Sequence, residues 1–370
     1  MAKKNIVNIG ACCCGSNSCS NDKTNDSADE AVTSDQRAYW ILGKITTPVG
    51  DIPKVATKLI FKDILGSWKA RWGVNRMNYM INPGLYCVGN PDSKSAVLVT
   101  ANYKMSFDSL RKELGGLDAW IMVLDTKGIN VWCAAGKGTF GTEEVVGRIE
   151  KVELLQVVSH RTIVLPQLGA PGVAAHEVLK RSGFKVVYGP VRASDIMEFI
   201  KAGMKATQDM RTVKFTFVDR IVLTPVELSF ILKPLLIILG VFIALKFLEI
   251  GPNLLGGISP YIGAVLVGNF IVPALLPWIP GRAFSWKGWI VGIIYTLVII
   301  MSYTSIGWGQ TLVCLLVLPS ISAFVAMNFT GSSTYTSLSG VVREMKIAVP
   351  AIIASISAGV IVAVANLLIK

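Results

Sequence analysis

The stretch Asn130-Val131-Trp132-Cys133-Ala134-Ala135-Gly136-Lys137-Gly138-Thr139-Phe140-Gly141 concentrates residue types that do chemistry: a thiol, an ammonium and three glycines. Three readings compete. Gly136-x-Gly138-x-x-Gly141 has the spacing of a dinucleotide fingerprint, whose glycines bring backbone amides to a pyrophosphate at a tight strand-to-helix turn. Gly136 lies eleven residues beyond Asp125, where the preceding strand is predicted to end, so that context fails. The P-loop fails too, because no glycine precedes Gly136-Lys137 at its spacing. In the second reading the Trp132-Cys133 pair simply packs, as buried cysteines commonly do. In the third the thiol faces a metal. A helix dipole and Lys137 one turn on lower the pKa of a thiol in the first turn, and a thiolate suits a soft or redox-active metal. Ala134, Ala135 and Gly136 leave the backbone open to a large flat group.

The other reactive side chains are scattered. Cys12, Cys13, Cys14 and Cys19 sit in the leader without a Cys-x-x-Cys pair, and Cys87 and Cys314 lie far from Cys133. The leader cysteines read as a thiol-rich tail, and the chain as reduced rather than disulfide-built. Nowhere is there a ferredoxin-type cysteine run. The net charge of +12 is spread among acids without a basic stripe, which excludes nucleic acid as a partner.

Elements that could position the motif follow from periodicity. Residues 1–38 are polar and read as a disordered, Cys-containing leader. Residues 39–226 alternate strands and helices. Buried strands are predicted at Ala96–Ala101, Ala119–Leu124, Thr162–Leu165 and Phe184–Tyr188. Helices are predicted at Phe107–Leu114, Thr142–Val158, Val173–Arg181 (stopped by Gly183) and Asp195–Ala202, the last with Ser194 as N-cap. This alternation implies a Rossmann-like α/β domain, a parallel sheet with helices on both faces and a ligand beyond the carboxyl ends of its strands.

Residues 227–370 read as an all-α transmembrane domain of about five helices, near 228–248, 254–275, 286–303, 306–327 and 347–369. From residue 228 onward the acids are only Glu249 and Glu344. Arg282, Lys287, Arg343 and Lys346 fall at the second and fourth loops, so the positive-inside rule places the α/β domain in the cytoplasm under a multi-pass cytoplasmic membrane. Lys233 and Lys246 can snorkel at the ends of the first span.

Asn-Val-Trp-Cys-Ala-Ala-Gly-Lys-Gly, Asn130 to Gly138, resembles the cap-helix motif of the HgcA family, the corrinoid proteins of microbial mercury methylation. The layout over roughly residues 40–370 agrees: a corrinoid domain related to the large subunit of the corrinoid iron–sulfur protein, then about five membrane helices. The resemblance implies a cobalt corrinoid (cobalamin-type) with its lower face toward the cap helix and Cys133 as lower axial ligand of cobalt. His160 and His176 stand outside the Asp-x-His-x-x-Gly pattern of histidine-ligated corrinoid proteins. Corrinoid contacts are expected from Asn130, Val131, Trp132, Cys133, Ala134, Ala135, Gly136 and Lys137. Weaker ones are expected at the sheet edge from Thr100 and Asn102, Gln167, Leu168, Gly169 and Ala170, and Gly189, Pro190 and Val191, where turn chemistry is the competing account.

The activity so implied is corrinoid-dependent methyl transfer to Hg(II), giving methylmercury. A thiolate donating strongly to cobalt favours release of the methyl group toward an electrophile. The chain lacks the cluster domain of its iron–sulfur relative. Electrons are therefore expected from a ferredoxin-like iron–sulfur partner, HgcB in that family, and methyl groups from a folate-linked methyltransferase. Two rivals stand beside this. One is a corrinoid methyl carrier in one-carbon metabolism; the other is a non-catalytic membrane protein with a nucleotide-binding α/β domain. Gly256, Gly257 and Pro260 hint at the broken helix the latter would need.

Overall fold

The computed structural model describes residues 38–247, 254–302, 307–329 and 338–368. The leader cysteines Cys12, Cys13, Cys14 and Cys19 and the side chains of Lys233 and Lys246 lie outside the described structure. Gly256 and Gly257 do not break a helix: both lie within the continuous helix Leu254–Leu266. The chain divides into two compact units, one holding Val74–Val213 and the other Lys214–Lys370.

The first unit is built on a seven-stranded sheet: β1 (Ile41–Thr47), β2 (Gly50–Val55), β3 (Gly84–Val88), β4 (Val97–Ala101), β5 (Ala119–Leu124), β6 (Thr162–Leu165) and β7 (Lys185–Tyr188), in the order β1-β2-β3-β5-β4-β6-β7. The four predicted strands are all present within a residue. They pair in parallel as β5-β4-β6-β7, Val97 beside Trp120 and Ile163 beside Val186. β4 and β5 are buried at every position, as strands covered on both faces must be.

The sheet is mixed rather than all-parallel. β1 and β2 form a hairpin, and β3 runs antiparallel to β5. β1 and β2 escape a reading by apolar runs because Gly43, Lys44, Asp51 and Pro53 interrupt them, whereas β3 is itself a short apolar run, Leu85 to Val88, missing from the predicted strands.

The helices of this unit are α1 (Phe61–Arg71), α2 (Lys104–Arg111), α3 (Val131–Lys137), α4 (Thr142–Lys151), α5 (Leu154–Val157), α6 (Ala175–Ser182), α7 (Ile196–Lys201) and α8 (Gln208–Arg211). Alternate strand residues feed two cores. Val97, Val99, Ala101, Met122 and Leu124 pack with α3–α6, while Leu98, Ile121, Val123 and Val164 pack with α2 and α7.

Two helix expectations are corrected. Thr142–Val158 is not one helix: Glu153 takes a left-handed conformation (φ 47°) and splits it into α4 and α5. Ser194 caps nothing. It lies inside a 3-10 turn with its hydroxyl on the Asp195 carboxylate, and α7 starts after it.

The second unit contains α9 (Phe217–Ile221), α10 (Thr224–Phe247), α11 (Leu254–Leu266), α12 (Val272–Leu275), α13 (Phe284–Ser302), α14 (Trp308–Asn328) and α15 (Leu338–Leu368). Among the described residues four stretches are long and apolar enough to cross a membrane: Ile258–Leu275, Phe284–Ser302, Trp308–Asn328 and Gly340–Asn366. The fifth expected span, 228–248, falls on α10.

Small residues let α13 and α14 approach closely. A methyl added at Gly288 would lie 2.7 Å from both Ala326 Cβ and the Ser322 carbonyl oxygen, the small-xxx-small packing of apolar helices. Pro260 is carried inside α11, and a π-turn at Val267–Ile271 follows, where Asn269 donates to the Thr224 carbonyl at 3.2 Å. Thr296 and Ser320 likewise donate to the carbonyls of Gly292 and Leu316, each at 2.7 Å, so these polar side chains are satisfied by backbone of the apolar helices.

Candidate functional site

The strand order sets where a ligand fits. β4 lies between β5 and β6; the chain leaves β4 through α2 toward β5 over one face and leaves β6 through α6 toward β7 over the other. The loops after β4 and β6 therefore part, and the crevice of a doubly wound sheet opens at their carboxyl ends.

Cys133 stands beside this crevice on α3, a helix of two turns held at both ends. Asn130 is its N-cap, the side-chain oxygen accepting from the Cys133 amide at 2.9 Å, an arrangement typically worth about 1 kcal/mol. Gly138, with φ 82°, closes it in the left-handed cap that glycine takes without strain. Val131, Ala134 and Ala135 face the core, whereas Trp132, Gly136 and Lys137 are exposed and Cys133 is half-buried. No atom outside the helix lies within 4 Å of a methyl built at Gly136.

The segment after β6 is clamped against the back of α3. A methyl at Gly172 would sit 2.2 Å from the Phe140 carbonyl oxygen, and one at Gly169 2.5 Å from the Phe140 ring. Gln167 begins a 3-10 turn here, Ala170 donating its amide to the Gln167 carbonyl at 3.1 Å. The Gln167 side-chain oxygen is buried without a hydrogen-bond partner, an arrangement proteins rarely leave unresolved. Leu168 packs on the core beneath.

Asn130–Lys137 and Gln167–Ala170 are thus brought together. Gly189, Pro190 and Val191 follow β7, one strand further out; Gly189 donates to the Leu165 carbonyl and Val191 to the Met210 carbonyl, so their backbone is already committed.

Thr100 and Asn102 have other roles. Thr100 is buried and alternates with Val99 and Ala101, so it faces the layer under α2 rather than α3. Asn102 is a scaffold. Its buried side-chain oxygen accepts from the Thr126 amide (3.1 Å), the Thr126 hydroxyl (2.8 Å) and the Gly128 amide (3.0 Å), while its amide group donates to Asp125. This knot folds the 125–129 loop that delivers Asn130. Burial works against the Asp125 charge, but the Lys127 side chain and amide hold its pKa below the ordinary carboxylate value.

Met77 and Met80, half exposed, lie over the same loop, with Met80 Sδ 3.5 Å from a methyl placed at Gly128. Sequence reading missed them, because isolated methionines in a polar segment carry no periodic signal.

The remaining chemistry-bearing residues lie elsewhere. His160, before β6, is at the opposite edge of the sheet, its ring nitrogens engaged by the Ser95 carbonyl and the Thr162 amide. Cys87 is fully buried, and burial pushes its thiol up to about 11, which makes it inert. Asp63, Lys104, Asp108 and Arg111 form a closed cluster on the α2 side, with Lys104 2.9 Å from Asp63 and 2.7 Å from Asp108, and Arg111 2.7 Å from Asp108. Burial raises the Asp63 pKa, but the Tyr39 hydroxyl and the Lys104 ammonium outweigh it and bring it down to about 2. Among the described residues no group of three or more His, Cys, Asp or Glu is placed to hold a metal ion.

Residues 75–200 match the family of the CO dehydrogenase/acetyl-CoA synthase delta subunit. Similar curated proteins are gamma subunits of the acetyl-CoA decarbonylase/synthase complex. That of Methanopyrus kandleri is 32% identical over 123 residues, 33% of this chain and 26% of its own length. That of Methanocaldococcus jannaschii is 31% identical over 33% and 25% of the two chains, and that of Archaeoglobus fulgidus 29% identical over 34% and 27%. The chain thus spans about a quarter of the length of the curated relatives it matches. The matched segment contains β3 to β7, the crevice and α3, so the likeness belongs to the sheet and its edge and not to the apolar helices.

Proposed function

We propose that the α/β domain binds a corrinoid in the crevice beside α3, with Cys133 toward cobalt, and that the chain carries out corrinoid-dependent methyl transfer. The observation that carries this is the junction of α3 with the Gln167 turn. A half-exposed thiol and the open Gly136 lie beside a buried Gln167 oxygen that lacks a donor, and a corrinoid's peripheral carboxamides are donors. Trp132, Met77 and Met80 supply apolar surface for a macrocycle.

The bound group would supply the methyl-carrying cobalt. The protein's part is to present Cys133 from a helix whose cap and packing fix its direction, and to keep Gly136 bare. The domain division expected from the sequence, the seat of the α/β domain on the cytoplasmic side and the dependence on a separate ferredoxin-like reductant belong to the same reading.

Two acceptors are distinguished. Similarity to subunits of an acetyl-CoA decarbonylase/synthase complex favours a methyl carrier in one-carbon metabolism. The Asn130–Gly138 motif favours Hg(II), with methylmercury as product and a folate-linked methyltransferase as donor. An anaerobic visible spectrum of the full chain reconstituted with a corrinoid tests the shared claim. Wild type should retain the cobalt spectrum, and Cys133→Ala should shift or lose a band. Failure of both proteins to retain corrinoid would refute it. Methyl transfer to Hg(II), set against transfer to an acetyl-CoA synthase, then assigns the acceptor.

A further inference from the structure

Helix α1 presents its faces in reverse. A helix docked on a sheet ordinarily turns its apolar stripe inward. In α1 the inward positions are Asp63 and Ala70, 2% and 1% exposed, with Gly66 so near Tyr79 that an added methyl would lie 2.6 Å from its hydroxyl. The outward stripe is Phe61, Ile64, Leu65 and Trp68, continued by Trp72, at 76%, 48%, 41%, 64% and 45% exposure. Their spacing of three and four places them on one side of the helix.

The charges are arranged to match. Asp63, the lone acid of residues 58–72, points inward to Lys104 and Arg111. What the segment shows outside is basic: Lys58, Lys62 and Lys69 are exposed, and Lys62 and Lys69 border the apolar stripe. The residues that end the helix, Arg71–Gly73, cluster with the unit that carries the apolar helices; within that unit a methyl at Gly73 would lie 2.9 Å from the hydroxyl of Ser229 on α10. Aromatic and aliphatic side chains flanked by lysines have the composition of a helix lying in a bilayer surface.

We propose that α1 is an interfacial helix. Phe61, Ile64, Leu65 and Trp68 enter the boundary between headgroups and acyl chains of an anionic phospholipid bilayer, and Lys58, Lys62 and Lys69 meet its phosphates. The α/β domain is thereby seated on the membrane rather than hung from it. This does not depend on the corrinoid assignment.

The test uses the full chain in nanodiscs of phosphatidylethanolamine and phosphatidylglycerol, with p-benzoylphenylalanine replacing Trp68, or Ile64 as a second position, and the same probe replacing the exposed Leu179 of α6 as control. After photolysis, mass spectrometry of the labelled peptide reads what was captured. The expected result is a phospholipid adduct roughly fivefold above the Leu179 control, falling roughly threefold with Lys62→Glu/Lys69→Glu. An adduct no stronger than the control, one indifferent to the charge reversal, or capture of protein instead (a second copy, or residues 1–37 of the chain) would each overturn the proposal.

Discussion

The α/β domain handles polar and reactive groups in opposite ways at two places. In the Asp63–Lys104–Asp108–Arg111 cluster, two acids and two bases balance inside the domain, every one of them buried. At the edge formed by α3 and the Gln167 turn, a buried oxygen lacks a donor, a thiol is half exposed and a glycine faces open space. Both are compact and both sit near carboxyl ends of strands. The charges of the first are matched by one another, Arg111 Nη2 lying 2.9 Å from Asp63 although it makes no aligned hydrogen bond, which marks it as a device that holds elements together. The second has no such counterpart for the Gln167 oxygen and opens to solvent, which marks a surface shaped for something else.

The comparison breaks most visibly at the cluster. Asp108→Ala leaves Lys104 and Arg111 undercompensated inside the domain and is expected to destabilise it by about 3–5 kcal/mol. Urea unfolding of the full chain in detergent, followed by the near-ultraviolet signal of Trp40 and Tyr86 packed close by, reads this. A cost below about 1 kcal/mol would mean the cluster is as dispensable as a surface ion pair.

Asn102 sharpens the contrast from the other side, since it is buried like the cluster yet serves the edge. Asn102→Ala strands the Thr126 and Gly128 amides, the Thr126 hydroxyl keeping the Ile129 carbonyl, and should cost about 1–3 kcal/mol. It should also weaken corrinoid retention without touching the cofactor, seen as faster hydrogen exchange across Thr126–Cys133.

Acid separates the two regions by pH. Asp63 has its folded pKa lowered to about 2. Its contribution to stability is fully present above the unfolded value near about 4 and is lost as pH falls through 2, a loss of about 2 kcal/mol. Stability measured from pH 4 to pH 2 should fall accordingly, and Asp63→Asn should flatten that part of the profile.

The smallest effect on stability is the most telling for the edge. Gly136→Ala meets open space and should be neutral or stabilising by up to about 1 kcal/mol through helix propensity. It should nevertheless reduce corrinoid binding, because the added methyl stands where a macrocycle approaches. Unchanged binding would show that α3 is not the contact face.

The legible part of the site was the part written in one short segment. Asn130 to Lys137 cap, turn and expose as their local chemistry demands, and β4 to β7 declare themselves by unbroken apolar runs. Thr100 and Asn102 show that proximity to a strand end says nothing of which face a side chain takes. Strand alternation turns Thr100 away, and the fold spends Asn102 on a loop twenty-odd residues later in sequence. Met77 and Met80 gave no signal, since their place depends on a loop crossing the sheet edge.

What the sequence by itself determined is local: the buried strands β4 to β7, the run of apolar helices and the singular thiol at Cys133. The tertiary structure alone decided which of these meet. Order β5-β4-β6 opens the crevice, glycines at 169 and 172 press the Gln167 turn onto α3, and the pairing of Asp63 with Lys104 and Arg111 turns the apolar side of α1 outward. Such arrangements arise from contacts between residues far apart in the chain, where packing and desolvation rather than neighbouring side chains set the lowest free energy.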